Sequence, residues 1–185
     1  MPVSRSWPES APIDAWTLAD GRHLLVRAVR DTDAAIARDF FRSLSPESRF
    51  ARFLGDVRDV PQARVDRAVH ADPARELTLV VCHDEPDGTE GVVGGVRYVA
   101  DAEGVAAEFA MTIADAWQNR GIGTRLLPLL ENAARQHGIE RLYGLVLADN
   151  LRMLGICRRR GWTIAPSEEG AGVRAVSLEI AAAPS

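Results

Sequence analysis

The 185-residue sequence predicts one mixed α/β domain. Three observations carry that expectation. Residues 76–114 hold three strand-like runs in succession. The stretch "QNRGIGTRLLPLLENAARQHG" (118–138) reads as a glycine turn feeding an amphipathic helix. After it a strand, a helix and two further strands follow to the C-terminus.

Each element has a local reason. Residues 1–14 carry three prolines and few apolar positions, predicting a flexible arm, with the domain over 15–181 and a tail over 182–185. "AWTLADGRHLLVRAV" (15–29) reads as a hairpin, because Asp20-Gly21 supplies the positive-φ pair of a tight turn. "DTDAAIARDFFRSL" (31–44) is helical, capped by Asp31, with Ile36, Phe40 and Leu44 at four-residue spacing. Pro46 opens a short helix, "PESRFARFL", and "PQARVDRAVHA" a third, again with proline in its first turn. "ELTLVVCHDE" (76–85), "GVVGGVRYVAD" (91–101) and "VAAEFAMTIA" (105–114) form an antiparallel meander. In the last of these Val105, Ala107, Phe109, Met111 and Ile113 share one face, leaving Glu108, Ala110 and Thr112 on the other. Then come a strand over 140–148, a helix near 150–160, and strands around "GWTIA" and "VRAVSLEI". Pro128 falls inside the glycine-turn helix, where it kinks the helix at a cost of ~3 kcal/mol unless the bend is accommodated.

Composition excludes several function classes. Hydrophobic residues make up 46% and charged residues 26%, as in a soluble globular protein, and a net charge of −4 argues against nucleic acid as partner. No run approaches a membrane span and the N-terminus lacks an apolar signal core, so no membrane partner is expected. Cys82 and Cys157 make neither a disulfide framework nor a zinc site, which fits a reduced, cytoplasmic setting. His23, His70, His83 and His137 are dispersed without metal-ligand spacing, so no metal is expected. All 22 basic residues are arginine, so the chain offers no lysine amine of its own.

The glycine turn is the chemical signal. Consecutive unpaired N–H groups at a helix start form an anion site, reinforced by the helix dipole. Gly121 and Gly123 lack the Cβ atoms that hold a pyrophosphate off the backbone, and Arg120 and Arg125 add charge at the rim. The turn has no Walker lysine, which disfavours ATP. Leu126 stands where a dinucleotide fingerprint needs its third glycine.

The meander, the turn "AEFAMTIADAWQNRGIGT" and the later "DNLRMLGICRRRGW" together resemble the GNAT superfamily of N-acetyltransferases over about residues 15–180. The resemblance implies a mostly antiparallel sheet of six to seven strands flanked by helices, with splayed central strands. It implies acetyl-CoA as acyl donor, without a metal. The backbone of Met111, Thr112 and Ile113 would pair with pantetheine, and the turn from Gln118 through Asn119, Arg120, Gly121, Ile122 and Gly123 to Thr124 would hold the pyrophosphate. Asn150 would contact the CoA arm, and Gly161-Trp162 replaces the usual Gly-Phe. "LADGRHLLVRAVRDTDAAIARDFFRSLSPESRFARF" is similar to the opening of the bacterial protein-acetyltransferase (Pat) branch. That likeness implies a protein lysine as acceptor, with acyl-CoA synthetases as known targets of the branch. Many members carry a fused regulatory or synthetase-like domain, for which this chain has no room; it reads as a stand-alone enzyme or an excised catalytic domain.

A lysine amine has a pKa of ~10.4, so freeing its lone pair at pH 7 costs about 4.6 kcal/mol. The Pat likeness makes Glu108 the base, with burial raising its pKa into a useful range. A strand amide near Ile113 would meet the oxyanion. The position of the family's acidic Tyr is Cys157, which reads better as a small buried hydrophobe, leaving the proton donor to the thiolate open. Ser45, Ser48, Arg49 and Phe50 resemble an acceptor-side loop, although helix capping also explains the serines. Asp101, Glu103 and Asp115 read as solvated loop charges, and Trp7 and Trp16 as packing for the arm or an interface. Two other readings stay open: a small-amine acetyltransferase, marked by a closed acidic pocket rather than an open groove, and a non-catalytic CoA-sensing module. Oligomeric state is not legible. The cofactor reading predicts that acetyl-CoA raises the melting temperature while ATP and NAD do not; an equal shift from NAD, read by scanning fluorimetry, would count against it.

Overall fold

The computed structural model describes residues 12–180 apart from 71 and 86. The elements run β1 (Asp14–Thr17), β2 (His23–Ala28), α1 (Ala34–Ser43), α2 (Pro46–Phe53), α3 (Gln62–Val69), β3 (Glu76–Asp84), β4 (Glu90–Ala100), β5 (Ala106–Ile113), α4 (Ile122–Gln136), β6 (Arg141–Leu147), α5 (Leu151–Arg159), β7 (Thr163–Pro166) and β8 (Val173–Glu179). They build one sheet in the order β1-β2-β3-β4-β5-β6-β8-β7, antiparallel except for the β5–β6 pair. The sheet has eight strands rather than six to seven, because the four-residue β1 and β7 both pair at its edges. Among the described residues no helix is long and apolar enough to cross a membrane.

The hairpin, the three early helices and the meander form where their sequence signals lie. Gly21 adopts φ +86°, and Leu18 and Arg22 close the turn across it. Ser45 caps α2, its hydroxyl accepting from the Ser48 amide at 3.1 Å, and Pro46 holds the first helical position. Other details differ. Asp31 does not cap α1; it lies in a 3-10 turn and meets His70, while Asp33 accepts from the Arg30 amide and, with Glu90, neutralises the buried Arg27. Pro61 stands at the cap position of α3, just before its first turn. Val105 precedes β5 and is 45% exposed, its carbonyl receiving the Glu140 and Arg141 amides that start the β5–β6 pairing. Of the expected arm, Ile13 and Asp14 join the sheet, whereas residues 1–11, with Trp7, and the tail 182–185 lie outside the described residues. Trp16 packs against the core with the Arg125 guanidinium 4.7 Å from its ring. Pro128 sits within α4, which continues past it to Gln136.

The core divides between the two faces of the sheet. Leu77, Leu79, Val81, Val96, Tyr98 and Phe109 meet α4, whose Leu126, Leu127 and Leu130 are fully buried. Each such leucine is worth roughly 1.5–3 kcal/mol of burial. Helices α1 and α3 lie against the other face, where Phe40, Phe41 and Val69 share a space with Thr78, Val80 and Ala110.

Two irregularities shape the centre. Val81 pairs with Gly94 and Cys82 with Val92, so Val93 is an extra residue in β4; its carbonyl accepts from Ala114 at 2.9 Å and holds the end of β5. The parallel β5–β6 pairing covers only Ala106–Arg141, Ala107–Leu142 and Glu108–Tyr143. Beyond it Met111, Thr112 and Ile113 pair with β4 alone, while β6 continues against β8. This divergence is the expected splay. It begins where the Phe109 ring crosses Gly144, at which a Cβ would lie 2.8 Å from a ring carbon and 3.0 Å from the Phe109 carbonyl. Trp162 packs on the other side of Phe109, 4.7 Å between centroids, and its indole N–H donates to the buried Glu131 of α4 at 2.8 Å. Arg160 also donates to that carboxylate.

Trp162→Phe keeps the ring contact but removes the best donor to Glu131 Oε1. The expected loss is about 1–3 kcal/mol, or roughly 3–10 °C in melting temperature, measured by calorimetry.

Candidate active site

The splay opens a cleft of about 1360 Å³ between β5 and β6, floored by Met111, Thr112 and Ile113 and closed at its ends by α2, the glycine turn and α5. Apart from the Ile113 carbonyl, which Gln118 engages, main-chain groups of β5 on the side that β6 leaves are therefore open to an extended ligand.

The glycine turn stands at the mouth. Asn119 and Gly121 take φ +62° and +79°, and α4 begins at Ile122. The first helical bond is from the Arg125 amide to the Gly121 carbonyl at 3.2 Å. Among the described residues the amides from Asn119 to Thr124 have no acceptor, which is the donor array an oxyanion requires. The two glycines also meet different requirements of the chain itself. Gly121 has open space where its Cβ would stand, so its positive φ is the requirement. Gly123 is needed for packing: a Cβ there would come 3.1 Å from Met111 Cε and 3.2 Å from Ile156 Cδ1.

Gln118, Asn119, Gly121, Ile122, Gly123, Thr124 and Asn150 all line the cleft with Met111, Thr112 and Ile113. Arg120 does not line it. Its guanidinium reaches Asp20 at 2.6 Å and the Ala116 carbonyl, and Arg125 pairs with Asp14 at 2.5 Å, so neither arginine serves the rim. The arginines that do line the cleft are Arg152 and Arg159 of α5. Their spacing of seven puts both on one helix face, a signal present in "NLRMLGICRRR" but not used. The side chain of Gln118 is a strut rather than a free ligand. Its Nε2 donates to the Ile113 carbonyl and the Ser48 hydroxyl, both at 3.1 Å, and its Oε1 accepts from Arg152 at 2.7 Å. Asn150 caps α5, with its Oδ1 accepting from Met153 at 3.1 Å.

Asp115 is no solvated loop charge. It accepts from the Ser45 amide at 2.9 Å and from the Ser45 and Ser48 hydroxyls at 2.8 Å, tying α2 to the end of β5. Partial burial works against its ionised form, but these bonds outweigh it and hold the carboxyl below the usual aspartate range. Asp101 instead caps the turn between β4 and β5, and Glu103 is exposed.

Glu108 faces away from the α4 side, as its alternation requires, but it is exposed and does not line the cleft. The expected burial is absent because its lateral neighbours, Val99 and Tyr143, are themselves partly exposed. Cys157 is fully buried, and burial pushes its thiol up to about 12, so it packs rather than donating a proton. The four histidines bond to Thr17, Asp31, Glu85 and Tyr98, and among the described residues no cluster has metal-binding composition.

A sheet split beside an amide-lined turn makes a site for an extended ligand with an anionic group, of the kind a nucleotide-bearing acyl carrier has. The acetyltransferase (GNAT) family profile matches residues 36–162, so the chain belongs to that family and is an acetyl-CoA-dependent transferase. Acetyltransferase PA5475 of Pseudomonas aeruginosa is 35% identical over 151 residues, covering 80% of this chain and 81% of that one. The GNAT domain of S. lividans PAT superposes with a TM-score of 0.80 at 27% identity, covering 94% of this chain and 99% of that domain. Acetyltransferase Pat of Mycolicibacterium smegmatis is 33% identical over 122 residues, which are 63% of this chain and 34% of that protein.

Arg152→Ala should weaken acetyl-CoA binding about tenfold, because it removes a charge-assisted contact and frees Gln118. Arg120→Ala should leave affinity within about twofold, in keeping with an exposed ion pair to Asp20. Isothermal calorimetry on both variants separates the cleft arginine from the turn arginine.

Proposed function

We propose that the chain transfers the acetyl group of acetyl-CoA to a lysine of a protein, with acyl-CoA synthetases as the first substrates to test. The observation that carries this reading is the acceptor side of the cleft. The cleft is wide, and its lining includes the exposed apolar residues Phe50 (44%) and Leu151 (74%) and the carboxylates Glu47, Asp56, Asp149 and Glu169, beside the cations Arg52, Arg152 and Arg159. Apolar residues at an acidic rim suit a cationic side chain presented on a protein surface. The same carboxylates favour a small polyamine as the second reading.

In the proposed reaction the amine attacks the thioester directly while both substrates are bound. Glu108, on the same face of β5 as Thr112, accepts the ammonium proton through solvent. A main-chain N–H near Ile113 meets the oxyanion, and the leaving thiolate takes its proton from water. Pantetheine would lie along Met111, Thr112 and Ile113, the pyrophosphate on the amides from Asn119 to Thr124, and Asn150 beside the arm. The free, buried Cys82 and Cys157 suit a reducing cytoplasm.

Glu108→Gln should keep acetyl-CoA affinity and lower kcat about 100-fold at pH 7. The deficit should narrow as pH rises toward 10, where the amine supplies its own lone pair. Steady-state rates on a lysine peptide across that range are the test, and wild-type rates at pH 7 would remove Glu108 as the base.

A further inference from the structure

A second cavity, of about 60 Å³, lies between the sheet and helices α1 and α3, on the face of β5 away from α4. Its walls are mainly apolar, including Phe40, Phe41, Val92 and Ala110. Arg52 and Thr112 line both this cavity and the large cleft, so the two spaces meet at those side chains.

The polar atoms of this cavity are unusual. The Thr78 and Thr112 hydroxyls and Arg97 Nε are buried without a hydrogen-bond partner. Strand register explains why they converge. Thr78, Arg97 and Ala110 form one cross-strand row, and Val80, Gly95 and Thr112 form the next on the same face. Gly95 leaves the middle of this array without a side chain, and a Cβ there would come 3.0 Å from the Leu79 carbonyl and 3.8 Å from the Val80 side chain. The remaining terminal nitrogen of Arg97 that bonds elsewhere goes to Glu76 at 2.6 Å. Arg52 makes no hydrogen bond or ion pair among the described residues and rests 5.1 Å from the Phe53 ring centroid. Burial, and then the Arg97 cation, hold its guanidinium below the usual arginine range; Glu108 is the opposing charge it senses. Buried donors left unpaired are costly, and three here face one small space, with the half-buried Arg52 at its edge.

We propose that this cavity is a carboxylate subsite of the active site, in which Arg52, Arg97, Thr78 and Thr112 receive the carboxylate at the end of a short apolar chain. A planar anion with two oxygens matches one guanidinium, one Nε and two hydroxyls. The size admits that group with one or two methylenes, which the phenylalanines and Val92 would enclose. The chain has two possible sources: the distal end of a dicarboxylic acyl group on CoA, or the acceptor amine. The inference rests on the thioester lying beside Thr112. In either case the amine nitrogen bonds to the thioester carbonyl carbon, the C–S bond breaks, the thiolate leaves as CoA thiol with a proton from water, and the base takes the ammonium proton. The carboxylate is unchanged.

The donor arm compares binding of succinyl-CoA with that of its neutral isostere 4-methylpentanoyl-CoA by calorimetry without acceptor. The acceptor arm compares kcat/KM for an ω-amino acid and its primary amide, with acetyl-CoA. At least about tenfold preference for the anion is expected in one arm, and that arm names the source. Thr78→Val should reduce the preference several-fold while leaving acetyl-CoA affinity unchanged. No preference in either arm, with acetyl-CoA binding normally, overturns the subsite without touching the cofactor assignment. Absence of acetyl-CoA binding overturns both.

Discussion

The structure depends on an interruption. Strands β5 and β6 pair over only three residues each and then part. An open edge inside a sheet exposes unpaired main-chain groups, which folded proteins ordinarily avoid. Here the parting is enforced by packing: Phe109 lies over Gly144 on one side and against Trp162 on the other. Glu131 fixes Trp162 from α4. The motif at Gly161-Trp162, thirty-eight residues after the last turn glycine, thus supports the cleft from beneath rather than touching its contents.

Around that opening, hydrogen bonds hold the walls in place. Gln118 joins the end of β5 to α2 and α5, and Asp115 joins β5 to the start of α2. The chain thereby fixes the cleft's width with side chains that its sequence pattern suggests for ligand binding. Amide donors and the α5 arginines remain for the anion. A backbone site of this kind is preorganised, since its donors need no rotamer search to face a pyrophosphate.

The sequence was legible where local rules decide. Strand alternation, the Asp20-Gly21 turn and the Ser45-Pro46 helix start each follow from their own residues, and all stand where their signals lie. Much of the cleft lining was legible too, because Met111–Ile113 and all of the turn but Arg120 are contiguous, whereas Arg152 and Arg159 of α5 were missed. What failed was the direction of long side chains. Arg120 sits in the turn, yet Asp20 draws it away across a hundred residues of sequence. Asp115 looked solvated, yet three donors from α2 surround it. Glu108 was expected to be buried, but burial depends on which neighbours tertiary pairing sets beside it, and the linear sequence does not reveal that Val99 and Tyr143 leave it open. The buried Arg27–Asp33–Glu90 network went unread for the same reason: Glu90 is 63 residues from Arg27.

The exposure of Glu108 changes how deprotonation would work under the proposed mechanism. A buried base must be tuned by its cavity, whereas an exposed one takes part through solvent and leaves tuning to the acceptor. A protein bringing its lysine to a rim with Phe50 and Leu151 would itself exclude water as it docks, so the low-dielectric environment would form only in the ternary complex. Selectivity would then lie in docking rather than in the base. Arg52 bears on the same point. As a cation lining both the cleft and the inner cavity, it would oppose entry of an ammonium beyond a thioester held at Thr112. The cleft would therefore sort charge along its depth, with cations held at the rim and anions drawn inward, and the thioester would lie at the boundary between them.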